Sequence, residues 1–157
     1  MKSIKPFILV VIIFVLLFSL SGCVVERFIN RTFDYSFSQS LDNVKKVEIC
    51  EYNHDSRSTT TIAVLDKADA DEMLLEISAM KCKRHFGDHT TNYGKVVVYI
   101  TYEDQTAEVI GLFNVADVDV NGKWHRDGSY FDCAQMCTLI MKYVDEDLLP
   151  DLSLYFE

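Results

Sequence analysis

The stretch Lys95–Tyr102 (Lys-Val-Val-Val-Tyr-Ile-Thr-Tyr) limits the folds open to this chain more than any other. It is β-branched and aromatic almost throughout, which favours a strand over a helix. It is apolar at odd and even positions alike, so both faces of that strand need cover. A strand of this kind belongs in the middle of a sheet. The rest of the chain must supply neighbours on both edges and side chains above and below.

Those neighbours can be read off on either side. Val44–Tyr52 alternates, with Val47 and Ile49 on one face and Glu48 and Cys50 on the other. Asn53-His54-Asp55-Ser56-Arg57 is turn chemistry, and Thr59–Leu65 returns with Ile62 and Val64 on one face. Glu103-Asp104-Gln105 turns the central strand back into Thr106–Asn114. Asp117–Val120 alternates again, Asn121-Gly122 is a type I′ hairpin signal, and Lys123–Arg126 is its short return.

Two helices complete the set. Asp66 is placed to cap the first, with Asp69, Asp71 and Glu72 in its opening turns and Ala70, Met73, Leu74, Ile77 and Met80 as one apolar stripe. Lys81, Lys83 and Arg84 read as its basic C-terminal end, and Phe86–Gly94 as a loop. Ser129-x-x-Asp132 resembles a capping box for a second helix reaching about Val144, with Cys133, Met136, Cys137, Ile140, Met141 and Val144 as its stripe. Leu148, Leu149, Leu152, Leu154, Tyr155 and Phe156 give the tail apolar surface, and Pro150 limits any helix there. Hairpin-linked strands with helices between them predict an α+β fold: an antiparallel sheet of about five to six strands with two amphipathic helices packed on one face.

The N-terminus has a different logic. Lys2 and Lys5 precede an unbroken apolar run from Phe7 to Phe18, followed by Ser19-Leu20-Ser21-Gly22-Cys23. The run is short for a membrane span, and its charged head and small-residue end match a secretory signal peptide. Leu20-Ser21-Gly22-Cys23 resembles the lipobox of bacterial lipoproteins. That resemblance implies cleavage before Cys23 and attachment of diacylglycerol to its sulfur. It places the protein at the cell membrane, lipid-anchored and facing the extracytoplasmic side. The expected organisation is then a signal peptide over 1–22, a lipidated N-terminus and tether over 23–43, and a single domain over 44–157. Within the tether, Phe33, Tyr35 and Phe37 alternate with polar residues, as in an extended segment laid on the domain. The body is similar to small uncharacterised lipoproteins of Gram-positive bacteria in its strand Val96–Tyr102, the turn after it, and its final helix after an aromatic pair. That likeness implies no activity.

Charge narrows the partners. The whole chain has 15 basic and 24 acidic side chains, a net charge of −9. Loss of Lys2 and Lys5 with the signal peptide takes this to about −11. Such a surface repels nucleic acid and anionic headgroups. The partners expected are the membrane, through Cys23, and an unknown protein or cell-envelope component.

The remaining candidates for chemistry are few. Cys50, Cys82, Cys133 and Cys137 are even in number, which in an exported protein invites disulfides. Cys133 and Cys137 lie four apart on one helical face, too divergent for a mutual bridge. Bridges from that helix to Cys50 or Cys82 stay open. Cys82-x-x-His85-x-x-x-His89 has metal-ligand spacing, with Cys50 and His54 as further donors, and is the alternative, metal-binding reading for zinc or copper. Asp117-x-Asp119-x-Asn121-Gly122 matches the start of a calcium loop, but Gly128 occupies the twelfth position and the alternating valines ask for a strand. Ser78-Ala79-Met80-Lys81 fits S-x-x-K without its companion motifs. Trp124, His125, Tyr130 and Phe131 converge on a hairpin end and a helix start, where exposed aromatics form binding hot spots and buried ones cover a sheet edge. The reading is a non-catalytic interaction module that needs no cofactor.

Overall fold

Residues 32–84, 94–112, 115–126 and 129–149 are described by the computed structural model. The strands are β1 (Thr32–Asp34), β2 (Val44–Asn53), β3 (Ser58–Val64), β4 (Lys81–Arg84), β5 (Val96–Tyr102), β6 (Ala107–Gly111), β7 (Val115–Val118), β8 (Trp124–Arg126) and β9 (Ser129–Tyr130). The helices are α1 (Lys67–Ala79), between β3 and β4, and α2 (Cys133–Ile140), after β9. The class is α+β with antiparallel pairing throughout. One sheet runs β3-β2-β5-β6-β7-β8, and a second runs β1-β4-β9.

β5 lies between β2 and β6, where its two apolar faces require it. Val96, Val98, Ile100 and Tyr102 share a buried cluster with Val47 and Ile49 of β2 and Ile110 of β6. Ala70, Met73, Leu74 and Ile77 of α1 and Met136, Cys137, Leu139 and Ile140 of α2 belong to the same cluster. The opposite side of β5 contributes Val97 to a smaller cluster with Cys50, Tyr52, Ala107, Val109 and Val118. Full burial of a side chain such as Leu74 contributes about 1.5–3 kcal/mol. Asp66 caps α1 as its position predicts, accepting from the amides of Ala68 and Asp69 at 2.9 and 3.0 Å.

Several local expectations are corrected. Ile62 and Val64 do not share a face. Ile49 pairs with Ala63 but Cys50 with Thr61, so Ile62 is the extra residue of a β-bulge. Beyond it Ala63 and Leu65 pack inward and Val64 is 56% exposed. The basic run after α1 is no helix end. Lys81–Arg84 is a strand, with exposed Lys81 alternating with buried Cys82, and Cys82 pairs with Phe33 of β1. Ser129 does not cap α2 because it lies in β9. Asp132 is the cap, accepting from the Gln135 amide at 3.1 Å, and α2 ends at Ile140 rather than near Val144. Met141 is exposed, while Leu139, outside the expected stripe, is buried.

The turn before β8 is not type I′. Gly122 donates to the Asp119 carbonyl at 2.9 Å, the Asp119 amide donates to Lys123 at 3.1 Å, and Gly122 alone in the loop has positive φ, at +75°. This is a three-residue loop with a glycine-type bulge. From Thr32 onward the stretch expected as tether joins the body. β1 pairs with β4, and Tyr35 is buried against Phe37 and Phe131 with ring centroids 5.2 and 5.0 Å away. Contacts group Thr32–Glu157 as one unit. The signal segment, Cys23, the loop 85–93 and the tail from 150 lie outside the described residues.

Candidate functional site

α1 and α2 leave an open groove of about 340 Å³ between them. Glu76 and Met80 line one wall, and Ala134, Gln135, Thr138, Leu139 and Lys142 line the other. Its chemistry follows from which residues face inward. Leu139 is part of the core and Met80 packs against it, so the floor is apolar. Lys142 Nζ donates to both Glu76 oxygens at 2.8 and 2.6 Å, tying α1 to the turn after α2 at the rim. Thr138 donates its hydroxyl back to the Ala134 carbonyl at 2.8 Å. What remains is an apolar floor inside a polar rim, suited to holding an apolar side chain of a ligand. Next in sequence to Lys142, Tyr143 has a buried hydroxyl whose nearest polar neighbour is the Glu72 carboxylate. Burial raises its pKa, and the carboxylates of Glu72, Glu76 and Asp69 raise it further.

The cysteines are core residues. Cys50, Cys82, Cys133 and Cys137 are all free thiols. Cys50 belongs to the cluster opposite the helices, while Cys82 and Cys137 are in the helix-side cluster with Cys133 packed against it, so the sheet separates Cys50 from the others. Burial pushes the Cys50 thiol up to about 11, with Glu48 adding to the rise and Thr61 and Lys46 opposing it. Cys133 is pushed up to about 12, first by burial and then by Cys137 and Asp132. Cys137 is raised by burial, against a contact from Cys133. Thiols held protonated in this way are poor nucleophiles and poor metal ligands.

Cys82 is 0% exposed. Its proposed co-ligands His85 and His89 lie outside the described residues, and among the described residues no three metal-binding side chains converge. His54 instead bonds the Gly94 carbonyl at 2.9 Å and meets the Tyr52 ring edge-on at 4.8 Å. Asp119 of the calcium-like motif uses Oδ1 to accept from the amides of Asn121 and Lys123 at 2.8 and 3.0 Å, a turn-closing role. Ser78 donates to the Leu75 carbonyl at 2.7 Å, and Lys81 pairs with Asp34.

The aromatic set divides. Trp124 and His125 are on β8, the last strand of the larger sheet, and Tyr130 is on β9, the last strand of the smaller one. Phe131 is 3% exposed and packs on Tyr35, so it is core rather than binding surface.

One residue escaped the sequence reading. Glu108 is 1% exposed, the only fully buried charged side chain among the described residues. Its Oε2 accepts from Tyr102 Oη at 2.6 Å, the Ser38 amide at 3.0 Å and Ser38 Oγ at 3.1 Å. The signal was a carboxylate amid Ala107, Val109 and Ile110, a position that burial penalises without partners. It binds the 35–43 strap to the sheet. Among the described residues no helix is long and apolar enough to cross a membrane. Compared with known proteins, the chain matches no family model, no curated protein and no solved structure.

Proposed function

We propose that this protein is a lipid-anchored, extracytoplasmic interaction module, held at the cell membrane through Cys23 and acting by binding a protein partner rather than by catalysis. The finer architecture of this reading is a six-stranded antiparallel sheet with both helices packed on one face. Cluster membership supports it, since inward residues of α1 and α2 join the same face of β2, β5 and β6. The outer surfaces of the helices are then the surface available to a partner. The observation that carries the binding role is the α1–α2 groove, whose apolar floor and charged rim fit an apolar side chain presented by a protein. The acidic surface disfavours nucleic acid and favours neutral or cationic partners.

Two arms test this reading. Labelled palmitate is expected on the full chain and absent from Cys23→Ala, and label persisting on that variant overturns the anchor. A photo-crosslinking residue at Gln135, in the groove wall, is expected to capture one discrete protein in intact cells. Capture at Gln135 no greater than at exposed Asp42 overturns the groove as the binding surface.

A further inference from the structure

We propose that β3 is a self-association edge, and that two copies of the chain pair β3 with β3 antiparallel about a two-fold axis at Thr60. β3 ends the larger sheet and has β2 as its only neighbour among the described residues. The direction of its backbone follows from β2. The Tyr52 amide donates to the Lys95 carbonyl at 2.7 Å, toward β5. Thr59, opposite Tyr52, and Thr61, opposite Cys50, therefore turn their amides and carbonyls outward, away from β2. Proteins protect such edges with charge, proline or brevity. β3 is seven residues long, Ser-Thr-Thr-Thr-Ile-Ala-Val, with neither a charge nor a proline. The opposite edge, β8, has three residues, two of them His125 and Arg126.

Charge selects a second copy as the occupant. In a chain of net charge −9, residues 56–65 hold a single charged side chain, Arg57. On β2 beside this edge Lys46 pairs with Glu48 at 2.8 Å and Glu48 accepts from Thr61 Oγ1 at 2.9 Å. Exposed Glu51, opposite Thr60, lies one strand back in each copy, so the two Glu51 are kept about 14 Å apart by both β3 strands. Two acidic copies can approach along this strip without like charges facing. The two-fold also directs Arg57 of each strand toward the far end of the other, where Asp66 is exposed. The register is self-complementary. Thr59 of one copy and Thr61 of the other exchange backbone hydrogen bonds, the reverse pair does the same, and Thr60 faces its own counterpart. Cross-strand pairs of β-branched residues stabilise such a ladder. The bulge at Ile62 ends it on both sides.

Cross-linking of the full chain in membranes tests the register. Thr60→Cys places two thiols on Cα atoms about 4.5 Å apart, within disulfide reach. Val64→Cys sits on the same strand and is exposed, but its two copies are about 27 Å apart in this register at ~3.4 Å per residue. Under mild oxidation Thr60→Cys is expected to give covalent dimer about tenfold faster than Val64→Cys, with the unsubstituted chain as background. Adding Thr59→Pro, which deletes an outward amide, is expected to abolish that dimer. Equal rates at positions 60 and 64, no dimer from Thr60→Cys, or its coupling only to a different protein each overturn the proposal. If Thr59→Pro unfolds the chain, the ratio between positions 60 and 64 decides alone.

Discussion

At Cys50 the desolvation cost outweighs every local charge. Lys46 and the Thr61 hydroxyl favour the thiolate, yet burial lifts the thiol to about 11 from an ordinary 9.0. At pH 8 it therefore holds about a hundredfold less thiolate than a free thiol. The folded value lies above the unfolded one, so the native state favours the protonated thiol. That contribution is complete below pH 9 and is lost as pH rises from about 9 toward 11. Cys133, held at about 12, extends the same trend. Two outcomes are expected. Alkylation of Cys50 and Cys133 at pH 8 should be at least about tenfold slower in the native chain than in urea. The urea midpoint should stay level from pH 7 to 8.5 and fall above pH 9. Native labelling as fast as unfolded labelling would show the thiols to be accessible. The sequence placed Cys133 and Cys137 on a buried helical face, but it left bridges to Cys50 open. The sheet that separates Cys50 from α2 is a tertiary fact with no local signature.

Among elements, β5 and α1 were legible because each repeats one pattern over several residues. The apolar run gave a central strand, and Asp66 with its stripe gave a capped helix. Features set by one residue's pairing were not legible. The bulge at Ile62 reverses the facing of Val64 without changing composition. β4 is four residues with one apolar side chain, too short to separate from a basic helix end, and it forms because β1 and β9 flank it. Gly94 and Gly122 separate backbone strain from packing. Both have positive φ, at +77° and +75°, where an added Cβ costs about 1–2 kcal/mol. A Cβ at Gly122 meets open space, whereas one at Gly94 would lie 2.8 Å from Leu112 Cβ. Gly122→Ala is expected to lower unfolding free energy by about 1 kcal/mol. Gly94→Ala should lose a further 1–3 kcal/mol or so from overpacking. Urea unfolding of the two variants measures the gap, and equal losses would show that Leu112 moves aside freely.

At the scale of the molecule, the strap over residues 35–43 joins the N-terminal side of the chain to the middle of the larger sheet. Two of its ties differ in kind. Gln39 bonds Asp104 and Thr106 at 2.9 and 2.7 Å near the surface, where water can replace either partner. Ser38 reaches the buried Glu108, seventy residues away in sequence, where Tyr102 also donates. The tie was invisible to a local reading because its donors come from two segments that only the fold brings together. Removing the carboxylate takes this acceptor from the buried Tyr102 hydroxyl, while exposed Ser38 can turn its amide to water. Loss of an acceptor in a buried site costs about 1–3 kcal/mol, whereas an exposed hydrogen bond is worth about 0.5–1.5 kcal/mol or less. Glu108→Ala is therefore expected to lower unfolding free energy by about 1–3 kcal/mol and to open the strap to protease near Phe37. Gln39→Ala should cost no more than about 1 kcal/mol and leave that site protected. If the two variants unfold at the same urea concentration and are cut alike, Glu108 does not fasten the strap. If Glu108→Ala alone is cut near Phe37 while α1 and β5 keep their amide protection, the strap is a separable clasp, fastened by Ser38 and Glu108 independently of the β1–β4 pairing that precedes it.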